Sequence, residues 1–181
     1  MDELGLILHE LQNIPSPFEM EKNEVQHLIS LIAEAKHIFV SGTGRSGLVI
    51  QAFANRLSQM GYKAMVVGEP TTISSRDSDL LIVNSSSASS HILLEQLKIA
   101  RAAGTKLALV TATPNTELGR LANVVVTIRA QSKMSHTNSI QPMGAEFEQY
   151  SWLFFDGLVL KMMKLFDVTE QSMLLLHANI E

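Results

Sequence analysis

At 181 residues, 46% of them hydrophobic and 18% charged, the chain is long enough for one well-buried domain and short for two. A net charge of −4 gives no electrostatic case for nucleic acid or an acidic membrane surface, and the lack of cysteine excludes disulfides and thiolate catalysis. No run approaches the roughly 20 apolar residues of a membrane span, no basic segment leads into an apolar core at the N-terminus, and the six histidines form no close metal-binding pair, so the expectation is a cytoplasmic protein without a metal site.

Helical periodicity marks 2–13, with Leu4, Ile7, Leu8 and Leu11 on one face, and 18–35, with Val25, Leu28, Ile29 and Ile32 on one face; Pro15 and Pro17 separate the two. The apolar run 38–40 reads as a buried strand and feeds directly into Ser41-Gly42-Thr43-Gly44-Arg45-Ser46-Gly47, after which a helical pattern covers 47–60. A glycine-rich turn entering a helix presents backbone N–H groups and the positive end of the helix dipole to a phosphate. Arg45 and the hydroxyls of Ser41, Thr43 and Ser46 add donors. A Walker loop is excluded, because it needs Lys-Ser or Lys-Thr after its last glycine. Gly42, Gly44 and Gly47 do fit Gly-x-Gly-x-x-Gly, which leaves a nucleotide-binding module as an alternative; against it, no acidic residue ends a second strand about twenty residues on unless Glu69 serves.

Further strands are predicted at 64–67, 80–83, 107–110 and 124–128, with helical patterns at 90–103 and 115–121 and an irregular crossover at 68–78. Five buried strands alternating with helices predict a parallel α/β sheet, in which ligands bind beyond the carboxyl ends of the strands where the strand order reverses. After the third strand comes Asn84-Ser85-Ser86-Ser87-Ala88-Ser89-Ser90, five serines and an amide in seven residues before a helix. One helix cap needs one serine, and the excess favours a phosphate ligand. Thr111-Ala112-Thr113-Pro114-Asn115 is explained by capping alone and is given no function.

The pattern at 144–166 is apolar almost all round. Such a helix must be buried on most faces, and one sheet covers only one, so the expectation is a subunit interface shared with the N-terminal helices of residues 1–35. Glu146 and Glu148 sit near its start; a carboxylate beside apolar walls can carry a raised pKa suited to proton transfer, while acids near a helix N-terminus are also ordinary dipole complements. A last helical segment, 169–179, carries His177, which could exchange a proton near neutrality or simply pack; the same two readings hold for His91 and His136.

Taken in order, Gly42-Thr43-Gly44-Arg45-Ser46-Gly47 with Leu48, Ala52-Phe53-Ala54 and Arg56-Leu57, then Val66-Val67-Gly68-Glu69, Asp79-Leu80-Leu81-Ile82, Ser139-Ile140-Gln141-Pro142-Met143-Gly144, Phe147-Glu148-Gln149 and His177-Ala178-Asn179-Ile180-Glu181 carry a resemblance to a known family. Over nearly its whole length the chain resembles the 6-phospho-3-hexuloisomerase family of the sugar isomerase (SIS) fold. The resemblance implies a single SIS domain over 1–181, with a flavodoxin-like five-stranded parallel sheet in a three-layer α/β/α arrangement. It also implies a homo-oligomer, a tetramer favoured, with sites shared between subunits. The implied reaction needs no cofactor and acts on a phosphorylated ketohexose, interconverting D-arabino-3-hexulose 6-phosphate and D-fructose 6-phosphate through a cis-enediolate. It assigns the catalytic glutamate to Glu148 and not to Glu146, and makes His177, in its own or a neighbouring subunit's site, a candidate for ring opening or proton delivery to oxygen. Ser41, Gly42, Gly44, Arg45, Ser46, Ser85, Ser87 and Ser90 then hold substrate and phosphate.

One loop departs from the family. Where the family reads Ser-Gly-Ser-Gly-Glu-Thr, this chain has Ser85-Ser86-Ser87-Ala88-Ser89-Ser90, so both glycines and the Glu-Thr pair are replaced. Glycine permits close backbone approach and positive φ, so Ser86 and Ala88 are expected to reshape the cradle, with Ser90 standing in for the threonine hydroxyl. That leaves two further readings open: an isomerase for another phosphosugar, and a non-catalytic sugar-phosphate sensor acting through a partner.

Overall fold

A computed structural model describes residues 1–131 and 139–180; His136 and Glu181 lie outside the described residues. Strands β1 (Ile38–Gly42), β2 (Ala64–Val66), β3 (Leu80–Asn84), β4 (Lys106–Thr111) and β5 (Val124–Thr127) form an all-parallel sheet in the order β2-β1-β3-β4-β5. Strands apolar on both faces require cover on both faces. Ile38, Val40, Leu80, Ile82, Ala108 and Val110 point into one core, and the alternate residues Phe39, Leu81, Val83, Leu107 and Leu109 into the other.

The first core is closed by α3 (Lys22–Glu34), α4 (Gly44–Gln59) and α7 (Ala145–Phe166), with α1 (Glu3–Gln12) laid across α7. The second is closed by α5 (His91–Ala102) and α6 (Glu117–Leu121). This is the expected three-layer α/β/α sandwich. Helices α4 and α7 are locked by aromatic packing, the Phe53 ring stacking on Phe155 with centroids 4.5 Å apart.

Two helical expectations are modified. The 18–35 pattern is split into α2 (Pro17–Met20) and α3, because Glu21 leaves helical geometry at φ −121° and ψ 40°. Pro17, preset for the first position of a helix, starts the short turn and lets Phe18 tilt onto Phe154 at 5.3 Å. The terminal pattern 169–179 stops early: α8 (Glu170–Leu175) begins with a Thr169–Ser172 capping box and ends before His177. Among the described residues no helix is long and apolar enough to cross a membrane.

Candidate active site

The chain passes from β1 outward to β2 and then back across β1 to β3, so the strand order reverses between β1 and β3. The crevice beyond their carboxyl ends is where an open α/β sheet binds ligands. Register places Gly42 beside Asn84, so the two donor-rich loops leave the sheet side by side.

The first loop is held by backbone touching backbone. A Cβ on Gly47 would lie 2.7 Å from the Gly42 carbonyl oxygen, and one on Gly42 would lie 2.9 Å from the Asn84 carbonyl oxygen. No side chain fits at either position, and the first turn of α4 is thereby drawn against the ends of β1 and β3. Gly44 is a glycine for a different reason: it adopts φ +58°, which L side chains rarely take, with open space around it. The side chains of Thr43 and Ser90 do not cap α4 and α5, as is also true at the starts of α2, α3 and α7, whereas Asp2, Thr116 and Thr169 cap α1, α6 and α8. Two helix N-termini therefore meet the crevice without side-chain caps, an arrangement suited to an anion.

The second loop follows a path a glycine would favour, although it has none. Ala88 takes φ +44° while only 1% exposed, a conformation that costs an L-residue about 1–2 kcal/mol. Its buried side chain packs in the second core, and bonds from outside the loop fix the residues before it. The Ser86 carbonyl oxygen accepts from the Ala112 N–H at 3.1 Å, the Thr111 hydroxyl at 3.0 Å and the Thr113 hydroxyl at 3.3 Å. The Ser85 N–H donates to the Val110 carbonyl at 3.0 Å, and the Ser87 and Ser89 hydroxyls pair at 2.8 Å. The Thr111–Thr113 segment, which capping alone was enough to explain in the sequence, is bonded to this loop through the Ser86 carbonyl.

Asn84 joins three elements. Its buried amide donates to the Ser46 carbonyl of α4 at 3.1 Å and to the Ser151 hydroxyl of α7 at 3.3 Å, and Ser151 in turn donates to the Glu148 carbonyl at 3.0 Å. Its Oδ1 is buried with no hydrogen-bond partner among the described residues. Neither Asn84 nor Ser151 was singled out as a site residue by sequence reasoning. The usable signal was an amide closing an otherwise apolar strand, which has to be satisfied once buried.

The two glutamates of α7 separate cleanly. Two positions on a helix are about 200° apart, so 146 and 148 face opposite ways. Glu148 reaches Arg45, Oε2 to Nε at 2.6 Å; its side chain is 8% exposed, while that of Arg45 is 64% exposed. Glu146 instead accepts from the Gln131 N–H. Burial raises the Glu146 pKa, the Gln131 N–H partly offsets this, and the nearby charge of Glu10 raises it further. A carboxyl whose folded pKa exceeds its unfolded value makes stability fall as pH rises from the unfolded value through the folded one. Glu146→Gln is therefore expected to raise Tm at neutral pH, with the gain disappearing as pH falls below the raised value; melting curves across that range check it, and a lowered Tm at pH 7 would refute it.

Arg45 and Glu148 stand at the edge of an apolar groove of about 530 Å³ between α1, α4 and α7, lined by Leu4, Leu8, Leu48, Trp152 and Leu153. All five of these side chains are more than two-fifths exposed, and Leu160, Leu165 and Phe166 continue the exposed apolar face along α7.

Strand register sets the loops carrying Gly42, Gly44, Arg45 and Ser46 and carrying Ser85, Ser87 and Ser90 at the adjacent carboxyl ends of β1 and β3, and Arg45 contacts Glu148; two other expected residues point elsewhere. Ser41 shares the strand face of Phe39, toward α5, where its buried hydroxyl donates to Gln96 Oε1 at 2.5 Å. His177 is exposed and lines a separate cavity of about 500 Å³ with Arg56, Gln59, Asp156 and Met163. Arg56 lies 11 positions beyond Arg45 on α4, about 16 Å along the axis at roughly 1.5 Å per residue, so within one chain His177 is not beside Glu148. Among the described residues no group of three or more His, Asp or Glu side chains is placed to hold a metal ion.

A family model for the SIS domain matches residues 31–151. The 3-hexulose-6-phosphate isomerase of Bacillus subtilis is 34% identical over 178 residues, covering 97% of this chain and 95% of its own length. The 3-hexulose-6-phosphate isomerase of Methanocaldococcus jannaschii is 33% identical over 160 residues, covering 88% of this chain and 85% of its own length. Among solved structures, a Methanococcus jannaschii protein whose structure led to an inferred function of 3-hexulose-6-phosphate isomerase superposes with a TM-score of 0.87 at 27% identity, over 100% of both chains.

Proposed function

The chain belongs to the SIS domain family and is a sugar-phosphate isomerase, and we propose that its reaction interconverts D-arabino-3-hexulose 6-phosphate and D-fructose 6-phosphate without a cofactor. The observation that carries this reading is the Arg45–Glu148 pair set beside two helix N-termini without side-chain caps. The N-termini of α4 and α5, with the hydroxyls of Ser46, Ser85, Ser87 and Ser90, hold the 6-phosphate, and that binding energy positions the carbons several bonds away. Ser41 ties the end of β1 to α5 through Gln96.

Glu148 is the base. It takes the proton from C2; the C–H pair becomes the C2–C3 double bond, and the C3 carbonyl pair moves onto O3, giving the cis-enediolate. O3 gains a proton, O2 loses one and re-forms a carbonyl at C2, and Glu148 returns its proton to C3. One carboxylate serves both carbons because they are adjacent. The pair with Glu148 uses Nε of Arg45, and the remaining guanidinium donors of this exposed side chain are suited to stabilise the oxygen that becomes negative.

In this reading the whole chain is one domain, it works in the cytoplasm, and a second copy covers the apolar groove beside Glu148 within a tetramer. His177 then exchanges oxygen-bound protons in a neighbouring subunit's site. The experiment is fructose 6-phosphate formation from 3-hexulose 6-phosphate, coupled to a dehydrogenase, on a sample whose mass is read by light scattering. Turnover by a species of several chains is expected. A folded protein that binds but does not convert this substrate overturns the reaction, and an active single chain overturns the shared site.

A further inference from the structure

We propose that Glu10, on the N-terminal helix α1, is a positioning residue for Glu148: its carboxylate fixes residues 140–141, from which the turn into α7 is built. The inference rests on the role given to Glu148 above. One carboxylate oxygen of Glu10, Oε1, accepts from the Ile140 N–H at 2.9 Å, and the other, Oε2, from the Gln141 side-chain amide at 2.8 Å. Gln141 is itself buried at 7% exposure, and its N–H donates to the Ser139 hydroxyl at 3.0 Å. A buried amide with a charged acceptor has a defined place, and so does the backbone carrying it.

The next residues transmit that position. Met143 and Gly144 both take positive φ, +60° and +81°, so the chain turns sharply before α7 begins. The Pro142 carbonyl accepts from the Ala145 N–H at 3.0 Å, and the Gly144 carbonyl accepts from the Glu148 N–H at 3.3 Å. Only Pro142 and Met143 therefore lie between Gln141, whose amide Glu10 holds, and Gly144, whose carbonyl anchors the Glu148 backbone. Burial works against ionisation of Glu10, but the donors from Gln141, Ile140 and Ser139 outweigh it and hold its pKa below the ordinary carboxylate value.

Helix α1 lies outside residues 31–151, the part that matches the family model. Its Leu4 and Leu8 stay largely exposed while Glu10 reaches a segment 130 positions away in the chain. The helix thus brings a polar clamp to the entrance of the catalytic helix.

The test compares Glu10→Ala, Glu10→Gln and Gln141→Ala in the whole protein, with wild-type turnover of 3-hexulose 6-phosphate measured first. A displacement near 1 Å at the reacting groups costs up to about 10²-fold, so Glu10→Ala is expected to lower kcat by about 10–100-fold with KM within about twofold. Glu10→Gln, which can still accept from Ile140 and meet a flipped Gln141 amide, recovers most of that loss. Gln141→Ala breaks the same link while leaving α1 untouched, which keeps the test valid if Glu10→Ala fails to fold. The chain's single tryptophan, Trp152, stands one turn after Glu148 and is half-exposed, so its emission reports the seating of α7 whatever the activity. A shifted emission in Glu10→Ala and Gln141→Ala is expected. Unchanged emission and kcat in folded variants overturn the clamp; an inactive wild type overturns the functional reading instead, and the emission change still decides the clamp.

Discussion

Glu148→Gln is expected to leave a folded, substrate-binding protein whose turnover is reduced by about 10²–10⁴-fold, the range a positioned general base contributes. The amide is isosteric and its oxygen can still accept from Arg45 Nε, where the native pair measures 2.6 Å, so the loop and α7 keep their places. What is lost is a group able to hold a proton between its removal from C2 and its delivery to C3. Steady-state kinetics with a melting curve separate the two effects: kcat collapses while Tm and KM stay near wild type. Turnover within tenfold of wild type would remove Glu148 from the mechanism.

Gly47→Ala is expected to act through the fold itself. The added Cβ meets the Gly42 carbonyl oxygen at 2.7 Å and its carbon at 3.1 Å, and both are backbone atoms, which yield only if β1 and α4 part. Overpacking of this kind costs about 1–3 kcal/mol or more, and here it displaces the N–H groups offered to the phosphate. Tm should fall and KM for the phosphosugar should rise together. Gly44→Ala is the informative comparison: its Cβ meets nothing within 4 Å, and φ +58° is its only penalty, about 1–2 kcal/mol. A Gly47→Ala protein melting with wild type would show that the two backbones are not in the contact described.

Much of the architecture could be read from the chain, because β1, β3 and β4 are apolar on both faces and each is followed by a helical period, while β2 is marked only by a short apolar run before an irregular crossover. The crevice was readable too, since glycines and serines crowd after two strands that the topology makes neighbours. Other features were hidden for identifiable reasons. Spacing cannot tell Glu146 from Glu148; facing directions 200° apart acquire meaning only when Gln131 and Arg45 stand on either side. The direction of Ser41 follows from strand alternation, opposite to Val40 and with Phe39, whereas its adjacency to the glycine loop suggests the crevice. The links from Glu10 to Ile140 and from Thr111 to Ser86 are contacts between distant parts of the chain, which no local pattern announces. The break at Glu21 is a single residue wide, narrower than any periodicity can resolve.

The threonines that grip the Ser86 carbonyl change what counts as an exchangeable part. A loop that kept its course through its own glycines could be transplanted between relatives as a single cassette. Here Ala88 remains in the left-handed region while bonds from the end of β4 bear on the loop, so its shape is written in two stretches of sequence about 25 residues apart. Substitutions at 86–90 and at 111–113 form one heritable unit, and a graft that moves the serines without their threonines carries over the letters and leaves the conformation behind.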